Sequence, residues 1–334
     1  MMKKFKFGVP TFVIAAACGS MAMMSPNWQA DLMAASGAGY SSDLDGSGTD
    51  DVLLRSTSTG AYRLFKTANG AVSGNNGVSV WNAGWTFQAL ADVDGDGDND
   101  IIVRDDAAGT YKNFNVQNGA TVGNGTLELW KTGWDFVGAG DFDGDGDEDF
   151  LTRSQSTGSY RVNMTGAGTD GYFGVWSSTD YNVVAIEDMD GDGDDDVVTR
   201  STSTGKYNVF TVQNGAVTGF TGLNVYTAAD WEFQGAGDLD GDGDADIITR
   251  SASTGKWRVN TIQGGAVVSG GAFNAFSSST LSYQGFIDAD ADGDMDMLIR
   301  STTGTWNLVK VQSAQVDSTV GFNAFTTLDY TIQN

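Results

Sequence analysis

The segment Asp92-Val-Asp-Gly-Asp-Gly-Asp-Asn-Asp100 sets five aspartates at alternate positions across nine residues. Carboxylates crowded this closely repel one another unless a cation sits among them. Ca²⁺ takes six to eight oxygen ligands at about 2.3–2.6 Å. Side chains at positions 1, 3 and 5 converge on one point if the backbone turns tightly, and Gly95 and Gly97 permit that turn. Position 7 can offer its backbone carbonyl whatever its side chain, and Asp100 at position 9 is placed to close the shell with both oxygens. Asp-Gly runs also make ordinary turns, so a single copy would decide little.

The motif is not single. Its first aspartate recurs at Asp43, Asp92, Asp141, Asp188, Asp238 and Asp288, at steps of 49, 49, 47, 50 and 50 residues. These six nine-residue loops hold 31 of the 43 acidic residues and so account for most of the net charge of −25. Six bound Ca²⁺ would add 12 positive charges and leave −13. Such a balance argues against a nucleic-acid partner, which needs surface Lys and Arg. The chain has no His, which removes the commonest general base and transition-metal ligand.

The elements that position the loops repeat with them. Each loop is followed by a short apolar run ending in Arg55, Arg104, Arg153, Arg200, Arg250 or Arg300. One aromatic recurs at Tyr62, Tyr111, Tyr160, Tyr207, Trp257 and Trp306, and another at Trp81, Trp130, Trp176, Tyr226, Phe276 and Phe325. In the second unit four strands are expected: Trp85 to Ala91, Asp100 to Arg104, Thr110 to Val116, and Thr126 to Trp130 after an Asn118-Gly119 turn. Four strands per unit of this length predict an all-β, six-bladed β-propeller of four-stranded blades. The first strand of each unit should crowd the axis, and small residues stand there at Ala89, Ala91, Gly138, Gly140, Gly235 and Gly237; Glu187 and Ile287 break the pattern. Leu328 to Asn334 matches the strand that precedes each loop, yet no loop follows it. It is expected to complete the first blade and close the ring.

Residues 1–24 read as an export signal: Lys3, Lys4 and Lys6 precede a largely apolar, uncharged run from Phe7 to Met24. Residues 25–42 form a linker and 43–334 the propeller. Cleavage sites are offered by Ser20-Met21-Ala22 and Ser36-Gly37-Ala38. Cys18, the single cysteine, follows three alanines in a context resembling a lipoprotein box without its usual leucine. The chain is expected to be secreted or at the cell surface, with Cys18 a candidate lipid anchor, and monomeric. Nothing after residue 40 is long and apolar enough to span a membrane.

The loops resemble the FG-GAP/VCBS repeats of bacterial surface proteins and the integrin α-subunit propeller, which read Asp-x-Asp-x-Asp-Gly-x-x-Asp. The resemblance covers about residues 43–334. It implies a propeller with up to six Ca²⁺, each held by side chains at positions 1, 3, 5 and 9 and a carbonyl at position 7. The first site is then Asp43, Asp45, Ser47, Thr49 (carbonyl) and Asp51, and the second Asp92, Asp94, Asp96, Asp98 (carbonyl) and Asp100. The third is Asp141, Asp143, Asp145, Asp147 (carbonyl) and Asp149, and the fourth Asp188, Asp190, Asp192, Asp194 (carbonyl) and Asp196. The fifth is Asp238, Asp240, Asp242, Asp244 (carbonyl) and Asp246, and the sixth Asp288, Asp290, Asp292, Asp294 (carbonyl) and Asp296. Ser47 replaces a carboxylate, so the first site should be weakest, and Ala291 replaces a loop glycine. Integrin propellers have seven blades where six are counted here, and their ligands depend on partner domains absent from this chain.

Three functions fit this reading. One is a non-catalytic binding or adhesion module for carbohydrate or a cell-surface protein, its ligand on the face opposite the metal loops. There the turns Ser56 to Gly60, Ser154 to Gly158, Ser201 to Gly205 and Ser251 to Gly255 stand near Trp85, Trp134 and Trp231. The bland alternative is that these are surface turns and that the tryptophans pack between blades. Another is a structural component of a surface layer or matrix. The third is a polysaccharide-degrading enzyme, for which only Asp105, Asp106 and Glu187 break the repeat symmetry with acid/base chemistry. Nothing in the sequence pairs them, and no catalytic residue is expected. The six arginines should make inter-blade ion pairs or hydrogen bonds to the loops.

Overall fold

A computed structural model of the chain describes residues 42–129, 133–166, 168–226, 230–278 and 280–333. The export signal, the linker up to residue 41, Cys18 and Trp130 lie outside them. Among the described residues no helix is long and apolar enough to cross a membrane.

The sixth blade shows the plan. Leu281–Ile287, Asp296–Ser301, Trp306–Gln312 and Gln315–Phe322 pair antiparallel in chain order, from the axis outward. The second strand is buried along nearly its whole length because neighbouring blades cover both of its faces, which is why it reads as a continuous apolar run. A one-residue bulge interrupts five innermost strands, for example between Phe87 and Ala89 and between Tyr283 and Gly285. Bulges sharpen strand twist, here where the innermost strands of successive blades touch.

The third, fourth and fifth blades repeat this four-strand order. The second departs from it. Trp85–Ala91, Asp100–Asp105 and Tyr111–Phe114 form three strands, but the expected fourth, Thr126 to Trp130, is reduced among the described residues to a bridge from Leu127 to Tyr111. Gly123 and Gly125 precede that bridge and offer no side chain to pack across the outer edge. The Asn118-Gly119 turn does form, between Val116–Gln117 and Ala120–Thr121.

The first blade brings together the first and last of the described residues. Tyr330–Gln333 pairs antiparallel with Val52–Ser56, so that Leu53 faces Gln333 and Ser56 faces Tyr330. Ser42 then occupies the loop end of the same innermost position, its carbonyl accepting the Asp51 N–H at 2.9 Å. The six-bladed ring and its closure by the C-terminal strand are therefore as the repeat predicts.

The core is six cores rather than one. Each apolar cluster lies at a junction between blades: Leu44, Leu53 and Leu64 meet Phe87, Ile101 and Phe114, and the last set closes the ring, where Val52, Leu54 and Phe65 meet Ile287, Leu298, Trp306 and Phe322. At about 25 cal/mol per Å² of apolar surface buried, each junction stabilises only if its two blades are held together. The small innermost residues serve that approach: Ala89 and Ala91 pack beside Phe136 and Phe150 of the next blade.

Candidate metal centres

Each loop is anchored at both ends. Position 2 is apolar in all six copies, and Leu44, Phe142, Met189, Leu239 and Ala289 are fully buried in the inter-blade cores. At position 9 one carboxylate oxygen accepts a backbone N–H from the third strand of the same blade or from the residues just after it. The distances are 2.9 Å for Asp51 with Thr67 and 2.8 Å for Asp100 with Val116; Asp149, Asp196, Asp246 and Asp296 do the same with Thr165, Val212, Ile262 and Val311.

Position 1 shapes the turn. In the second loop Asp92 Oδ1 accepts the Gly95 N–H at 2.8 Å and Oδ2 accepts the Gly97 N–H at 2.8 Å. Both glycines have φ in the left-handed region, +68° and +86°. The side chain at position 7 turns to the hairpin tip of its own blade: Asp98, Asp194, Asp244 and Asp294 accept the N–H of Asn118, Asn214, Gly264 and Ser313. That leaves the backbone carbonyl as the group that position 7 can present inward.

The turn brings the expected ligands together. Carboxylate oxygens lie within 4.8 Å of one another in the sets Asp43, Asp45 and Asp51; Asp92, Asp94 and Asp96; Asp141, Asp143 and Asp149; Asp188, Asp190 and Asp196; and Asp238, Asp240 and Asp242. Eight buried oxygens at positions 3 and 9 have no hydrogen-bond partner: Oδ1 of Asp45, Asp143, Asp190, Asp240 and Asp290, and Oδ2 of Asp100, Asp246 and Asp296. Every loop has at least one. A buried carboxylate oxygen left unpaired is costly unless a cation coordinates it, and an all-oxygen carboxylate set suits a hard cation such as Ca²⁺. The residues present fit such an ion.

Electrostatics point the same way. Burial, with the neighbouring loop carboxylates, pushes Asp100 and Asp149 up to about 7 and Asp51, Asp196, Asp246 and Asp296 up to about 8. At position 3 burial raises Asp143, Asp190 and Asp240 as well. Asp45 moves the other way. Burial acts on it too, but hydrogen bonds from Lys66 and Ser47 and the Lys66 charge outweigh that and hold it below the ordinary value.

The loops are also tied to one another. The N–H at position 8 of each loop donates to the position 1 carbonyl of the loop before it: Asn99 to Asp43 at 2.8 Å, Glu148 to Asp92 at 3.0 Å, and so on around to Asp50 with Asp288 at 2.9 Å. This ring of backbone bonds had no signal in the sequence beyond the loop period itself.

The opposite rim is built differently. Each repeated arginine lies over the aromatic ring facing it on the third strand, as Arg300 does over Trp306 at 4.7 Å. Arg55, Arg200 and Arg300 also donate to the carbonyls of Trp85, Trp231 and Tyr330, on the innermost strand of the next blade. These three are inter-blade ties to backbone, at the end of the blade away from the aspartate loops. The Ser/Thr turns are braced by aspartates that the sequence reading passed over: Asp329, Asp180 and Asp230 accept from the hydroxyls of Ser56, Ser201 and Ser251. Asp105 and Asp106 serve similar turns, Asp105 accepting the N–H groups of Ala107 and Ala108 and Asp106 the Thr86 hydroxyl. Glu187 lies at the other end of a blade, next to Asp188 and fully buried with both oxygens unpaired. The three acids that break the repeat are thus not brought together.

One cleft on this rim combines aromatic faces with hydrogen-bond donors. It encloses about 460 Å³ and is lined by Trp231, Lys256, Trp257, Arg258, Asn274 and Phe276 among others. The buried indole N–H of Trp257 has no partner there, whereas Trp306 at the same place in the next blade donates to the Phe325 carbonyl at 2.9 Å. Trp231 packs against Tyr226, ring centroids 5.5 Å apart, as Trp85 does against Trp81 at 5.1 Å.

No family model and no curated protein matches the sequence. Solved structures resemble it in outline. YCF48 bound to D1 peptide shares 8% identity over 84% of each chain, with a TM-score of 0.45. Kluyveromyces lactis Hsv2 shares 12% over 85% of this chain and 81% of its own, with a TM-score of 0.41. Dihydro-heme d1 dehydrogenase NirN in complex with DHE shares 12% over 90% and 61%, with a TM-score of 0.40. The propeller is established by the strand pairing of this chain itself.

Proposed function

We propose that the chain is an exported, non-catalytic binding module of the FG-GAP/VCBS type, stiffened by Ca²⁺ on one rim and taking carbohydrate on the other. The observation that carries the calcium part is the set of eight buried, unpaired carboxylate oxygens at positions 3 and 9 of the loops. When bound, the ion supplies the positive charge that lets these carboxylates stay ionised side by side. The chain's own contribution is orientation: positions 1 and 9 are fixed by backbone N–H groups, and position 7 turns its side chain away.

The cleft at Trp231 is the place we assign to a ligand. Indole and phenyl faces suit the C–H face of a pyranose ring, and Lys256, Arg258 and Asn274 offer donors to hydroxyl or carboxylate oxygens. Calorimetric titration of metal-free protein with Ca²⁺ should give saturable binding, and an absence of heat in matched buffer would end the metal reading. A panel of soluble oligosaccharides, neutral and uronate-containing, tests the second part. Retention of a ligand should be lost in Trp231→Ala; equal binding by that variant moves the site elsewhere.

A further inference from the structure

The six loops differ in what faces their position 3 aspartate. In blades one and six a lysine on the third strand reaches it. Lys66 Nζ lies 2.9 Å from Asp45 Oδ2 and also donates to the Asn118 carbonyl, at the hairpin tip of the second blade, at 2.9 Å. Lys310 Nζ makes the same contact to Asp290 Oδ2 and lies against Gly70, at the hairpin tip of the first blade. The residues at this register in the other blades are Asn115, Met164, Thr211 and Thr261, all uncharged. Asn115 reaches Asp94 Oδ2 with a neutral amide.

The two lysine-bearing loops are neighbours across the seam of the ring. The sixth and first blades are joined there by Asp50 and Asp288, while the Tyr330–Gln333 strand pairs into the first. The ammonium does not take the inward oxygen: Oδ1 of both Asp45 and Asp290 remains buried and unpaired. The lysine instead lowers the negative charge of the site without filling it. Carboxylate repulsion in the metal-free loop falls, and with it the attraction for a dication, which follows the charge count of the site.

We propose that Lys66 and Lys310 are resident counter-cations. They make the two seam loops the weakest calcium sites and keep those loops ordered, and the ring closed, when calcium is scarce. This rests on the calcium reading above. Blades two to five depend on the ion; the seam does not.

Calcium titrations of the full-length protein, paired with melting curves in EGTA and in excess Ca²⁺, test it. Wild type should show four tight sites and two about tenfold weaker. Lys310→Met should move the sixth site into the tight class, lower the melting temperature in EGTA and restore or raise it in Ca²⁺. Asn115→Lys should do the reverse, removing one tight site and raising the melting temperature in EGTA. A lysine with a merely structural role would lower stability in both media when removed and would leave the site count alone. Six equivalent sites in wild type, or variants whose titrations match it, would overturn the proposal while leaving calcium binding intact. No binding in wild type would remove both together.

Discussion

Asp50 and Asp288, 238 residues apart in sequence, hold each other by two hydrogen bonds: the Asp50 N–H donates to the Asp288 carbonyl at 2.9 Å, and the Asp288 N–H donates to Asp50 Oδ2 at 2.7 Å. The second oxygen of Asp50 accepts the Ser42 N–H at 2.6 Å. One buried side chain thus ties the last loop to the first. Asp50→Ala leaves two backbone donors without a partner, at about 1–3 kcal/mol for each buried group, and should lower the melting temperature by several degrees. Removing residues 328–334 should cost more, because Leu53, Leu54 and Arg55 lose their pairing partner and the strand edge is laid bare. Melting curves as steep and as high as wild type for the truncated chain would contradict ring closure as a source of cooperativity.

Calcium removal should destabilise the ring, through blades two to five above all. Each site that binds only the native state adds about 2.7 kcal/mol when the ion is at a hundredfold excess over Kd. Position 8 bonds then pass the loss from each loop to the next. EGTA should therefore lower the melting temperature substantially, and Mg²⁺ should restore little of it because it demands tight octahedral geometry. An unchanged curve on chelation of metal-loaded protein would rule this out.

In metal-free protein the pH dependence has a definite sign. Six position 9 aspartates are raised from 3.8 to between about 7 and about 8 by burial. Between the unfolded and folded values the native state holds protons that the unfolded state has lost, so stability falls as pH rises through that window. The turn aspartates Asp105, Asp180, Asp230 and Asp329 are held low by their hydrogen bonds, but they are exposed and oppose this weakly. Metal-stripped protein should melt higher at pH 5 than at pH 8. Saturating Ca²⁺, which requires the ionised carboxylates, should reverse the order. Melting temperatures across that range, with and without the ion, decide it.

Ser47 is the one side chain in the first loop that cannot bring a charge to position 5. Its hydroxyl lies 3.0 Å from that of Thr49. Ser47→Asp should tighten the first site about tenfold, and Asp96→Ser should weaken the second by a similar factor, if carboxylate count sets affinity. Calorimetry on the two variants beside wild type reads both; matching isotherms would show that charge count does not govern these loops.

Gly95 and Ala291 occupy the same place in different loops. A Cβ at Gly95 would lie 2.5 Å from Asp147 Oδ1 of the next loop, so Gly95→Ala should destabilise by more than its backbone strain alone. Ala291 adopts φ of +57° in the sixth loop, and the loop that follows it carries Thr49 where the others carry an aspartate. Ala291→Gly should stabilise by up to about 1 kcal/mol, because only the left-handed backbone is at stake. Thermal unfolding that ranks the two variants the other way would show the neighbouring carboxylate to be irrelevant.

What the sequence by itself determined is what repeats locally. The step between aspartate loops, the apolar run ending in arginine, the Asn-Gly turns and the unmatched last strand together specify six blades and a closed ring, since each is a pattern within one blade. The carboxylate clusters were legible for the same reason, as nine consecutive residues carry each of them. The fourth strand of the second blade is only a bridge among the described residues, because an alternating pattern next to Gly123 and Gly125 says nothing of how well the outer edge packs. Only the tertiary structure decided the relationships between blades. Asp50 meets Asp288, Lys66 meets the Asn118 carbonyl, and Arg55 meets the Trp85 carbonyl, each across a distance in sequence that no local pattern encodes. Those partners follow from how closely one twisted sheet can approach the next, which depends on all six junctions packing at once.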